Sequence, residues 1–258
     1  VPVLAIVAAA VMVARGGAPV LEPLVPESEA SEQIPAMPGR MPDFAAISDS
    51  ATRKEKFFEY LLPAVEHVNA EIRKRRHKLM QIARRFRGGS LHADDKQWLD
   101  RMAGYYDVDA DDTTRRLDVL ERRIDVIPPS LALAQAAIES AWGTSRFARM
   151  GKNLFGEWCF RAGCGIVPAQ RPSNREYEVR TFPSVQDSIR SYIHNLNTHD
   201  AYREMRTMRQ QARRAGRDLS AAHLAKALDR YSERGEAYVD DVRTIIRAND
   251  LPSLVGSG

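Results

Sequence analysis

Residues 130–142 read Ser-Leu-Ala-Leu-Ala-Gln-Ala-Ala-Ile-Glu-Ser-Ala-Trp. Side chains are small or apolar almost all the way round, the pattern of a helix buried on every side rather than along one stripe. Pro128 and Pro129 mark its start and Gly143 its stop. Glu139 is the one charged residue within it. The spacing places Glu139 in the last turn and Trp142 one turn further on the same face. Burial disfavours a carboxylate, and so does the negative end of the helix dipole, so a protonated, proton-donating glutamate is expected. Neutralisation by Arg146 or Arg149 is the alternative that spacing alone leaves open.

A short helical stretch at residues 144–150 leads to Gly151 and then to Asn153-Leu154-Phe155-Gly156, a tight polar-aromatic turn that opens a β-rich segment. A buried helix end, an acid and a β-hairpin lobe in succession resemble the plan of lysozyme-like glycosidases. The run Gln-Ala-Ala-Ile-Glu-Ser-Ala-Trp-Gly at residues 135–143, followed by Asn153-Leu154-Phe155-Gly156, is similar to the glucosaminidase family that cleaves peptidoglycan. Glu139 matches that family's catalytic acid. Within the superfamily, Glu157-Trp158-Cys159, Tyr177-Glu178-Val179 and Asn195-Leu196-Asn197-Thr198-His199 look like the bacterial Bax-like proteins.

The resemblance implies a mainly α fold, a lysozyme-like α+β domain at residues 127–252 with a small antiparallel β-lobe. It also implies hydrolysis of the β-1,4 bond after N-acetylglucosamine in peptidoglycan or a related glycan, with Glu139 as general acid. Members of the family carry a tyrosine pair in the loop equivalent to residues 231–238, the first tyrosine lying in the cleft. This assigns a catalytic role to Tyr231, although the intervening residues here depart from the family pattern, and a tyrosine capping the core is the competing account. Residue type and nearness in sequence add Trp142, Phe155 and Trp158 as platforms for sugar rings and Asn153 as a partner for an amide. Glu178, on the returning strand, joins them as a substrate-binding residue.

The family often places a second acid on the first strand of the hairpin, but residues 165–171 here hold no Asp or Glu. Glu157, Glu176 and Glu178 are the acids nearby. An inverting mechanism needs one of them as base. A substrate-assisted mechanism needs none, with the substrate's acetamido oxygen attacking the anomeric carbon and Tyr231 orienting that group. The second is expected. A non-catalytic wall-binding protein with the same fold is the alternative function.

Ahead of the domain, residues 1–13 are apolar and uncharged, too short for a full membrane span but suited to an export or anchor segment, expected over residues 1–17. Residues 18–48 are rich in proline among Glu, Ser and Ala, the composition of an extended tether. Residues 49–126 form a helical layer. In it Phe58, Val65, Ile72, Leu79 and Phe86 recur every seven residues, so a long amphipathic helix runs to Gly88-Gly89, with Pro63 expected to kink or divide it.

The second half of that helix is densely basic, Arg73-Lys74-Arg75-Arg76-His77-Lys78 and then Arg84, Arg85 and Arg87. Such density raises a nucleic-acid or anionic-surface module. No recognisable nucleic-acid motif accompanies it, and a solvated face is the commoner explanation. The net charge of +4 favours an anionic wall or membrane surface only modestly. The two cysteines, Cys159 and Cys164, permit a small disulfide loop in an exported protein. They supply only half a zinc shell, so no metal or cofactor is expected. The expected partners are peptidoglycan glycan strands, with membrane contact through the N-terminal segment. The expected protein is a monomer in the periplasm or cell envelope that binds no nucleic acid.

Past the hairpin of residues 165–168 and 176–182, Ser184 and Asp187 form a shortened capping box for a helix that ends in a polar cluster, His194, Asn195, Asn197 and His199. That cluster is either a cap or the lip of a cleft. Three further helices close the chain, near residues 201–215, 219–229 and 236–248.

Overall fold

The seven-residue apolar repeat becomes α1, a 38-residue helix spanning Ser50–Arg87. Asp49 caps its start, its carboxylate accepting the Thr52 N–H at 2.8 Å and the Thr52 hydroxyl at 2.7 Å. The helix runs undivided through Pro63, so of the expected kink or division the division does not occur. Proline withholds the N–H that the Glu59 carbonyl would accept, and Glu59 is exposed, so solvent can satisfy that carbonyl. The structure, a computed structural model, describes residues 38–256. The expected export segment and most of the expected tether lie outside them.

Two shorter helices, α2 (Ala93–Tyr105) and α3 (Thr113–Arg123), follow and complete the helical layer. Asp112 caps α3 by accepting the N–H groups of Thr114 and Arg115. Then comes α4 (Pro129–Glu139), in which every residue from Ser130 to Ala137 is buried. Helix α1 covers one side of α4, while α8 (Ala221–Leu224), α9 (Glu236–Ala248) and α10 (Leu251–Gly256) cover others. The all-round apolar pattern of α4 is therefore matched by all-round packing, and the helical layer and the C-terminal domain share one core.

Helix α5 (Arg146–Gly151) leads to a β-lobe of three very short strands, β1 (Trp158–Cys159), β2 (Gly165–Ile166) and β3 (Glu178–Arg180). They are antiparallel in the order β1-β3-β2, with Trp158 opposite Val179 and Gly165 opposite Arg180. Residues 165–182 pair as expected, and β1 adds an edge that the sequence reading did not foresee. A Cβ at Gly165 would collide with the Val179 carbonyl, so this strand pairing requires glycine there. Cys159 and Cys164 are joined as a disulfide. Glu178 closes the same loop, accepting the N–H groups of Gly163 at 3.0 Å and Gly165 at 2.8 Å.

Ser184 caps α6 (Val185–Thr198) as the sequence implied, accepting the Asp187 N–H and donating to the Asp187 carboxylate. Beyond it, α7 (Arg203–Arg214) docks through a buried ion cluster. Asp125, 2% exposed, accepts from Arg213 at 2.9 Å and lies 3.7 Å from both Arg209 and Arg76. Burial would raise its carboxyl, but Arg209, Arg213 and Arg76 outweigh that and hold it below the usual carboxylate range. Arg209 is itself buried and donates to the carbonyls of Arg122, Asp125 and Val126 and to Asn197 Oδ1. The cluster fixes the segment that delivers the chain into α4. Asp125→Ala leaves the Arg209 charge buried without its counter-ion and is expected to cost about 3–5 kcal/mol. Arg203→Ala, which removes an exposed pair with Asp200, should cost less than about 1 kcal/mol. Urea unfolding midpoints of the two variants measure the contrast.

Candidate active site

Glu139 is the last residue of α4. The helix stops there, earlier than expected, and Trp142 does not continue its face. Ser140 caps the end, its hydroxyl donating to the Ala136 carbonyl at 2.6 Å and accepting the Gly143 N–H at 2.8 Å. Ala141, Trp142 and Gly143 then turn left-handed at φ 49, 59 and 74. For the two residues with a Cβ this costs roughly 1–2 kcal/mol each. Backbone strain of this kind persists only where the surroundings over-determine it, and it concentrates at functional sites.

Around Glu139 stands an enclosure of aromatic rings. Tyr231 stacks on Tyr238, with centroids 5.4 Å apart, and Phe155 stacks on Tyr192 at 3.9 Å. Tyr202 lies 6.0 Å from Tyr231. Burial among these groups pushes the Glu139 carboxyl up to about 7, while the Tyr238 hydroxyl and the Arg234 charge pull the other way. Gln135, one turn earlier on α4, organises the polar edge. It accepts the Tyr192 hydroxyl at 2.7 Å and donates to the Tyr238 hydroxyl at 3.0 Å. The Tyr238 proton is thus left for the Glu139 carboxyl. Sequence reading missed Gln135, Tyr192, Tyr202 and Tyr238. The signal for Gln135 was a polar amide, i−4 to Glu139, in a helix otherwise without one.

Several expected site residues have other occupations. Asn153 is buried and spends its side chain on the backbone, donating to the Glu157 and Arg180 carbonyls and accepting the N–H groups of Phe155 and Glu157. It staples the turn to β3 rather than offering itself to an amide. Phe155 is 1% exposed with one ring face on Tyr192, so it is core and not a sugar platform. Both oxygens of Glu178 hold loop N–H groups, which lower its carboxyl. Trp142 is half-buried, edge-on to Phe57 and Phe58 of α1 and beneath the Lys54 ammonium. Trp158, also half-buried, stacks on Tyr177 at 4.2 Å. The Tyr231 hydroxyl donates to the Phe155 carbonyl at 3.2 Å, which ties the loop before α9 to the turn before the β-lobe.

Of the nearby acids, Glu157 is the unusual one. It is buried, accepts the Ser191 hydroxyl at 2.6 Å through one oxygen, and has no partner for the other. Burial raises its carboxyl to about 7, with Ser191 and Arg180 opposing. Both Glu139 and Glu157 act electrostatically on Tyr202, whose hydroxyl burial raises beyond the ordinary range. The polar end of α6 is chiefly structural. His194 bonds the Tyr105 carbonyl, Asn197 braces Asp125 and Arg209, and His199 caps the following turn.

Part of the basic face of α1 is spent on ion pairs, Arg75 with Glu71, Arg76 with Asp125, Arg85 with Asp95 and Arg87 with Glu121. Among the described residues, the cluster with spacing for a metal is Cys159, Cys164 and Glu178, and its sulfurs are tied up in the disulfide. No helix of the described residues is long and apolar enough to cross a membrane. A cavity of 1060 Å³ between residues 38–43, α5 and the start of α6 is lined by none of the candidate site residues.

Residues 116–251 match the family described as glucosaminidase, mannosyl-glycoprotein endo-beta-N-acetylglucosaminidase. The matched span contains Glu139, the β-lobe and the tyrosine cluster, and it supports a glycan-hydrolase-like role. Over 200 residues the chain is 33% identical to Protein bax of Escherichia coli (strain K12), covering 77% of this chain and 70% of that one. No solved structure matches. With its half-buried glutamate at a helix end, its adjoining β-lobe and this extent of similarity, the chain belongs to the glucosaminidase family, as a Bax-like member.

Proposed function

We propose that the protein hydrolyses the β-1,4 bond on the reducing side of N-acetylglucosamine in peptidoglycan glycan strands, with Glu139 as general acid. The observation that carries this reading is a half-buried carboxyl at the end of a buried helix, raised to about 7 and hydrogen-bonded by Tyr238. Such a group keeps a substantial protonated fraction near neutral pH and is close enough to its working pH to give the proton up. The disulfide of the β-lobe supports an oxidising compartment, the cell envelope or periplasm. A membrane contact through the segment ahead of residue 38 belongs to the same proposal.

Glu139 protonates the glycosidic oxygen as the bond to the anomeric carbon breaks. The electrons that the anomeric carbon loses are supplied by the substrate's own 2-acetamido oxygen, forming a cyclic oxazolinium ion. Water then opens the ring, its proton passing to the Glu139 carboxylate. The environments of the acids favour this route over a second carboxylate. Glu178 is committed to backbone N–H groups, and Glu157 is buried and neutral to about pH 7. Tyr231, with its proton held by the Phe155 carbonyl, has a lone pair to accept the acetamido N–H and orient that group.

Glu139→Gln should abolish release of reducing ends from purified sacculi, a loss of at least about 10²-fold, because the amide keeps the shape and has no acidic proton. Residual turnover near wild type would assign the acid elsewhere. The wild-type rate should fall as pH rises through about 7. Stability follows the same group. A folded value raised above 4.5 means a contribution present below 4.5 and lost as pH rises through about 7. Glu139→Gln, neutral throughout, should gain on wild type in urea midpoint at pH 8 relative to pH 5.

Proton NMR of the first products reads the second step. Retained anomeric configuration is expected, and Tyr231→Phe should reduce turnover more than Glu157→Gln, Glu176→Gln or Glu178→Gln. Inverted configuration would rule out substrate assistance and return the second role to a carboxylate.

A further inference from the structure

The left-handed turn that follows Glu139 is held from outside the matched family domain. Residues 38–47 form a strap ahead of α1, with a single 3-10 turn at Phe44–Ala46. Phe44 is fully buried and packs against Gly143, so closely that a Cβ on that glycine would collide with the ring. It meets Phe57 edge-on at 5.4 Å and Tyr60 at 6.1 Å. Trp142, the middle residue of the same turn, meets Phe57 at 5.9 Å and Phe58 at 5.4 Å. One aromatic cluster therefore grips two of the three left-handed residues next to the acid.

The strap is itself fastened on both sides of the turn. Arg53 of α1 donates to the Ile47 carbonyl at 2.6 and 3.0 Å, and the Tyr60 hydroxyl donates to the Gly39 carbonyl at 3.2 Å. On the far side, Asp43 pairs with Arg149 of α5 at 3.4 Å. The strap thus joins α1 to the turn through Phe44 and to α5 through Asp43. The family match begins at residue 116, so Phe44, Phe57, Phe58 and Tyr60 all lie ahead of it.

We propose that Phe44 is a positioning residue for Glu139, the strap clamping the strained turn so that α4 ends at the acid and its carboxyl stays within the tyrosine enclosure. Without the clamp, the turn relaxes toward continued right-handed helix, which carries Trp142 off α1 and opens the acid to water. This rests on Glu139 being the general acid. The tether and the chemistry are thereby connected, because the last residues of the segment ahead of the domain also set the geometry of its acid.

The test uses the full chain with Phe44→Ala and Phe44→Leu, on sacculi and by carbon-13 NMR titration of the Glu139 carboxyl, both well below the melting transition. In Phe44→Ala, kcat should fall at least about 10-fold with KM within about twofold. The basic limb of the rate profile and the NMR midpoint should both move from about 7 toward 4.5, as water reaches the carboxyl. Phe44→Leu should restore most of kcat and of the NMR midpoint. A lowered melting temperature with kcat and the Glu139 midpoint unchanged would overturn the proposal and make Phe44 merely part of the core. If Phe44→Ala does not fold, the graded shift of the midpoint in Phe44→Leu decides the question. If Glu139→Gln retains activity, the acid assignment falls. If that variant is inactive and the Phe44 variants match wild type, only the clamp falls.

Discussion

Holding one half-buried carboxyl in surroundings of low polarity is the constraint on which this structure depends. Helix α4 runs through the core and ends at the half-buried Glu139, and a helix buried on all sides needs partners on all sides. The domain's own C-terminal helices supply some of them, and α1 supplies the rest. The aromatic enclosure then lowers the local polarity enough to hold Glu139 protonated near neutrality. Gln135 does the complementary work, giving two tyrosine hydroxyls fixed directions so that the polar groups near the acid are not left unpaired.

The opposing demands of folding and chemistry meet in the five residues from Glu139 to Gly143. A helix free to choose would continue, because Ser140, Ala141 and Trp142 have no intrinsic reason to stop. The observed stop is imposed by the Ser140 hydroxyl from within and by Phe44, Phe57 and Phe58 from outside. Tertiary packing overrides local propensity here, and this is why sequence periodicity carried the helix through to Trp142.

The same contrast separates what could be read in the sequence from what could not. The α1 repeat, the buried character of α4, the glycine-ended NLFG turn and the Ser184 cap are local patterns with local causes, and all four are found in the structure. Strand β1 is two residues long, and its existence depends on β3, some twenty residues downstream. Asn153 and Glu178 looked like ligands for sugar because both are polar and near the acid. Only the folded backbone shows the carbonyl and N–H groups that occupy them. The Asp125 cluster draws on α1, α6 and α7, and no window of sequence holds its members together.

The loop at the tip of the β-lobe is closed twice, by the bond between Cys159 and Cys164 and by the Glu178 carboxylate on Gly163 and Gly165. The two closures fail under unrelated conditions. A reductant opens the first and leaves the carboxylate in place. Acid strong enough to protonate a carboxyl already held below its usual range releases the second and leaves the sulfurs joined. An acidic or a reducing surrounding taken singly therefore leaves one of these two fastenings in place, and the pairing of β2 with β3 holds the base of the loop in either case.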